Sequence, residues 1–266
     1  MTNTHIVGKT VVALSFVAMV AVNAAATLLP INGQTTAEVS DSYPNIFAPA
    51  GFTFAIWGVI YLLLALYTLY QLGLFREKKS KLPNDIVMTI APYFAASSLV
   101  NIAWIFSWHY NLIGLSVLLM VTLLGILIAL HTKLYALDYT PRERLLVRAP
   151  FSVYFGWISV ATIANVTTYL VYSGWDRLGQ TEVFWMILML VIGAAVGITT
   201  TLKRYDCAYG AVFVWAYWGI LQKHLSSEGW DNMYPEVSAA MLILLPALVG
   251  ATGYVLLKTL KQLRQR

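Results

Sequence analysis

Three stretches of the sequence set indoles, phenols and carboxamides at helical intervals: Phe54, Trp57 and Tyr61; Asn101, Trp104 and Trp108; and Trp157, Ala161 and Asn165. Each set falls along one face of a helix with 3.6 residues per turn. Such residues recognise ligands rather than make bonds. Aromatic faces stack on flat rings, a carboxamide offers both a donor and an acceptor, and an alanine between them leaves width. No nucleophile–base pair, phosphate loop or paired carboxylates can be assembled at one depth, so the sequence gives catalysis no positive support. The single Cys207 excludes an intramolecular disulfide framework and a multi-cysteine metal site.

Each stripe also has a structural reading. Trp and Tyr concentrate at membrane interfaces, where Trp108, Trp175 and Trp230 are expected. Asn and Thr inside spans often bond between helices. His109 could ligate haem iron or simply sit at an interface beside Trp108 and Tyr110. Sequence alone leaves these alternatives open.

The elements that must position the stripes follow from composition. Of 266 residues, 59% are hydrophobic and 11% charged, which points to a membrane protein. The fold class expected is all-α, a polytopic membrane helical bundle. A span needs about 20 mostly apolar residues. Eight runs are candidates: Val11–Leu29, Gly51–Leu72, Ile86–Trp108, Leu112–His131, Ala149–Tyr172, Val183–Leu202, Ala208–Leu221 and Val237–Leu257. The seventh is short.

With the N-terminus cytoplasmic, 15 of the 17 Lys and Arg residues fall inside, leaving only Arg177 and Lys223 outside. This predicts a multi-pass cell-membrane protein with both ends cytoplasmic, and it excludes nucleic acid as the reason for the net charge of +5. The first run, with Lys9 and "VNAAAT", also fits the outline of a cleaved signal segment. No acidic or basic residue lies clearly inside a span, which counts against ion-coupled transport. At 1.5 Å per residue, Trp57, Asn101, Trp104 and Asn165 all lie roughly 6–10 Å below the outer ends of their helices. Neighbouring helices would bring these stripes to one cavity in the outer half of the membrane.

"WISVATIAN" (Trp157–Asn165) resembles the fifth-helix signature W-x-S-x-A-T-x-x-N of the translocator protein family, also called TspO/MBR or tryptophan-rich sensory proteins. "NIAW" (Asn101–Trp104) is similar to its third-helix N-x-x-W, and "FAPAGFTFAIWGVIY" (Phe47–Tyr61) to its second-helix F-x-P-x-W-x-x-L-Y. There are departures: Gly51 stands where the family has Trp two residues after the Pro, and Ile105-Phe106 replaces Ser-Pro. The resemblance covers residues 1–175, a five-helix ligand-binding unit, and three more helices with a basic tail follow in 176–266. It implies a receptor- or sensor-like protein binding flat hydrophobic ligands, porphyrin- or haem-like tetrapyrroles and in some relatives sterols. No cofactor is required.

The cavity lining expected is Phe54, Trp57, Tyr61, Asn101, Trp104, Trp157, Ala161 and Asn165, beneath the Ile31–Ala50 loop. Pro44, Pro49, Tyr43 and Phe47 suit a shaped lid there. Leu170-Tyr172-Arg177 fits the weak sterol pattern. The expected partners are a hydrophobic small molecule and membrane lipid, and the extra helices could make a homodimer contact. A permease for a small hydrophobic solute and a tetrapyrrole-modifying enzyme are the competing readings.

Overall fold

The computed structural model describes residues 3–77, 79–83 and 85–264. Lys78 and Arg266, two of the inside-assigned charges, lie outside the described residues. Ten α-helices form among the described residues: α1 (Asn3–Leu28), short α2 (Thr36–Asp41), α3 (Ile56–Gln71), α4 (Ile86–His109), α5 (Ile113–Tyr135), three-residue α6 (Pro141–Glu143), α7 (Ala149–Tyr172), α8 (Glu182–Arg204), α9 (Cys207–Leu225) and α10 (Pro235–Arg264). Among the described residues there is no strand. In hydrocarbon, backbone groups must be satisfied within the segment, and helices do this.

Seven helical segments among the described residues are long and apolar enough to cross a membrane, and the protein is a multi-pass membrane protein. The remaining expected span, Ala208–Leu221, seventh in order, does form a helix, as part of the 19-residue α9. That helix is long enough but insufficiently apolar. Two Tyr, two Trp, Gln222, Lys223 and His224 dilute its Val and Ile content.

Local sequence sets the helix ends. Thr140 and Glu143 form a reciprocal capping box with Pro141 at the first helical position. A π-turn over Arg144–Arg148 then feeds directly into α7. Thr181 Oγ1 accepts the Phe184 N–H at the start of α8, and Asp206 Oδ1 accepts the Tyr209 N–H at the start of α9. Lys203 and Arg204 close α8, where cations favour the negative end of the helix dipole.

The chain packs as two compact units. The first comprises Met1–Val39 and Trp57–Phe155. In it α1 lies along α4, and α4 along α5. Tyr67, Phe94 and Phe151 make an aromatic core with ring centroids 4.9–6.1 Å apart. A carboxylate anchors its far end: Glu143 accepts bonds from Tyr70 Oη, Ser80 Oγ and the Lys81 and Thr140 N–H groups.

The second unit comprises Ser40–Ile56 and Gly156–Arg266. Here α10 packs on α8 and α9. The α8–α9 contact depends on small residues: a Cβ at Gly197 would stand 2.6 Å from Phe213 Cδ1. Tyr217 Oη donates to the Leu190 carbonyl at 2.6 Å across the same contact. The boundary between the units falls within α7, between Phe155 and Gly156.

Residues 40–56 are built into this second unit through α9. Ala50 N–H donates to Gly219 O at 3.1 Å, Trp215 Nε1 to Thr53 O at 2.9 Å, and His224 Nε2 to Ile46 O at 2.9 Å. Phe52 packs against Trp215 and Trp218, with centroids 5.6 and 5.0 Å away. Gly219 lies directly against the Thr53 side chain, leaving no room for a Cβ.

Candidate ligand-binding site

In the first unit the sequence-predicted residues Trp57, Tyr61 and Asn101 meet a fourth, Tyr154. Trp57 and Tyr61, four apart on α3, stack at 5.6 Å with planes 17° apart. Tyr154 presents its edge to Trp57 at 6.2 Å. Tyr154 is near enough to both Tyr61 and Asn101 to interact with them electrostatically.

Asn101 is fully buried, and its Oδ1 accepts a bond from Asn23 Nδ2 of α1 at 2.7 Å. The other hydrogen of that Asn23 amide goes to Met19 O at 2.9 Å. Tyr61 Oη is shielded from solvent without a protein partner, while Asn101 Nδ2 and Tyr154 Oη, equally shielded, lie within reach of each other but short of good hydrogen-bonding geometry. Leaving a buried polar group unmade costs about 1–3 kcal/mol. Three such atoms around stacked aromatic rings form a set that can recognise the polar edge of a flat ligand.

Trp104, also predicted, is buried and stacks on Trp108 at 5.6 Å. Trp108 is not a lipid-interface residue as expected. It is buried, and its Nε1 donates to Thr36 O at 3.1 Å, because the loop after α1 folds over it. His109 is buried beside it. Its Nδ1–H donates to Ile105 O at 2.7 Å, so Nε2 is the acceptor facing Thr36 Oγ1 at 3.5 Å, and its carbonyl accepts from Asn32 Nδ2. His109 thus ties the loop to α4. Among the described residues no group of three or more His, Cys, Asp or Glu is placed to hold a metal ion.

The second unit holds the other four predicted residues. Phe54 lies in a 3-10 turn, Gly51–Ala55, that precedes α3. The α-helical stripe assumed for Phe54–Trp57–Tyr61 therefore begins only at Trp57. Phe54 meets Trp157 edge-on at 6.2 Å. Trp157 and Asn165 are buried and Ala161 is half-buried on α7. Ser159 Oγ accepts from Tyr209 Oη of α9 at 3.2 Å.

The opposite face of α7 was not singled out in the sequence, yet it borders a cavity of about 600 Å³. Pro44–Phe47, one face of α7 from Thr162 to Val171, the turn of residues 174–177, and Glu182, Trp185, Met186 and Met189 on α8 enclose it. None of the eight predicted residues lines it. At 100° per residue, Val166 and Leu170 point away from Trp157 and Ala161, while Thr162 stands at the edge of the Asn165 face. A wall of Thr, Ile, Val and Met reads in sequence like any lipid-facing surface.

Residues 9–254 match the family model of TSPO-like proteins, which runs through α8 and α9 into α10. No curated protein and no solved structure matches the chain.

Proposed function

Since the chain belongs to the TSPO-like protein family, we propose that it is a receptor-type membrane protein that binds a flat hydrophobic ligand of the porphyrin or haem class. What supports this is the cluster of Asn101 Nδ2, Tyr61 Oη and Tyr154 Oη, three buried polar atoms that the protein leaves without a well-made hydrogen bond, beside the Trp57–Tyr61 stack. Trp57 stacks on the ring system, and the carboxamide and phenols bind its polar edge. The protein sits in the cell membrane with both ends cytoplasmic, as the distribution of Lys and Arg favours, which requires the less apolar α9 to cross as an eighth span beside the seven.

Tryptophan-fluorescence quenching by protoporphyrin IX in uncharged detergent tests this reading. Saturable quenching is expected, weakened about tenfold in Trp57→Ala and Asn101→Ala, the effect of losing about 1.4 kcal/mol of binding. Size-exclusion profiles establish that each variant is folded. Non-saturable quenching, or equal affinity in both folded variants, would overturn it.

A further inference from the structure

The cavity between α7 and α8 has its polarity confined to one end. Its deep wall carries Thr162, Ile163, Val166, Met186 and Met189. Thr162 is polar in name only: its hydroxyl donates back to Ile158 O at 2.7 Å, as the neighbouring Thr167 hydroxyl does to Ile163 O at 2.6 Å. The wall therefore offers methyl and thioether groups, and methionines adapt to irregular apolar shapes. Asn45 at the lip is likewise committed, donating to Tyr43 O and accepting from the Phe47 N–H.

The mouth is different. Asp176, Arg177 and Glu182 stand there beside an indole pair, Trp175 and Trp185, with centroids 4.8 Å apart. The turn that carries them is held in shape. Trp185 Nε1 donates to Arg177 O at 2.8 Å, and Asp176 Oδ1 accepts the Leu178 N–H at 3.0 Å. The single cation, Arg177, is half-exposed and only 4.0 Å from Glu182, so two carboxylates outweigh it. Acidic side chains beside indole faces are the surroundings an alkylammonium group prefers. A volume of about 600 Å³ lies within the range of small-molecule sites.

From this we infer a second ligand site, for a single-chain amphiphile whose apolar tail fills the α7–α8 cavity and whose ammonium head rests at Asp176, Glu182 and the Trp175–Trp185 pair. An ammonium head could come from a free amphiphilic amine or from a zwitterionic phospholipid, in which Arg177 would meet the phosphate.

Three probes sharing a dodecyl tail brominated within its first few carbons, next to the head, separate these cases: a trimethylammonium, a phosphocholine and a sulfate. Bromine quenches nearby indoles, and the full-length protein is titrated in maltoside micelles. Saturable quenching by either ammonium-bearing probe, at least fivefold tighter than by the sulfate, is expected. Trimethylammonium binding alone identifies a free amine, and preference for phosphocholine identifies a phospholipid head. Trp185→Phe should remove most of the quenched signal, Glu182→Gln should weaken ammonium binding several-fold, and Val166→Phe should block all three tails. Equal quenching by the sulfate, or unchanged binding in both Glu182→Gln and Val166→Phe, would overturn the inference.

Discussion

Asn23 of α1 and Asn101 of α4 are joined by a 2.7 Å hydrogen bond between their carboxamides. Asn23 spends its two amide hydrogens on Met19 O and Asn101 Oδ1, which aims Asn101 Nδ2 elsewhere. The pair does two things at once: it fastens α1 to α4, and it fixes which end of Asn101 faces Tyr154.

Replacing Asn23 with Leu should therefore destabilise the protein by about 1 kcal/mol, the usual scale of interhelical bonds in membranes. Asn101→Leu should cost somewhat more, and the double variant less than the sum. Thermal denaturation of the four proteins measures that coupling. Full additivity would show that the bond contributes nothing.

Glu143 is the acceptor that gathers Tyr70, Ser80, Lys81 and Thr140. Truncation to Ala strands the buried Tyr70 hydroxyl and three part-buried donors, so Glu143→Ala should lose about 2–3 kcal/mol. Glu143→Gln keeps the shape but replaces one acceptor oxygen with a donor, and should lose about half as much. Chemical denaturation in mixed micelles would rank the two, and the reverse order would contradict this account.

Gly197 faces the Phe213 ring with no space for a side chain. Gly197→Ala should cost about 1–3 kcal/mol through overpacking. Adding Phe213→Leu should recover part of that loss. Melting temperatures of the single and double variants check it, and an unchanged Gly197→Ala protein would refute it.

His224 predicts a pH dependence. It lies in the last turn of α9, beyond the apolar stretch, with Nε2–H on Ile46 O and a buried Nδ1 without a partner. Burial holds its imidazole below the ordinary range, and the Ile46 carbonyl opposes that only partly. The unfolded chain then binds the proton more readily than the folded one, so stability falls as pH drops through about 6.5. Melting temperature should be lower at pH 5.5 than at 7.5, and His224→Gln should flatten the difference. An unaltered profile in His224→Gln would assign the effect to other groups.

The long helices were legible because their apolar runs end at clear signals. Ile86 and Ala149 open α4 and α7 at the residues expected, and α7 closes at Tyr172 as expected. Trp57, Tyr61 and Asn101 were legible as candidates because aromatic and carboxamide groups are rare and costly in lipid. Tyr154 was missed although it meets the same cluster, since it lies off the Trp157–Asn165 interval. Asn23 carried no signal at all: one Asn in an alanine-rich helix gives no hint of its partner 78 residues away. Phe54 fell out of register because 3-10 and α turns cannot be told apart over five residues. The α7–α8 cavity was invisible, because the absence of atoms leaves no mark on residue type.

The attachment of residues 40–56 to α9 sets an order of events during synthesis. His224 holds Ile46, which precedes it by 178 positions, and Trp215 holds Thr53 across 162. At about 5–20 residues per second, a ribosome takes roughly 10–35 s to make the intervening chain. For that interval Ile46, Phe52 and Thr53 have been made but their α9 partners His224, Trp215 and Trp218 have not. The segment must therefore be sheltered by lipid, by the insertion machinery or by a chaperone until the C-terminal helices arrive, and truncation before α9 would leave it permanently without its seat.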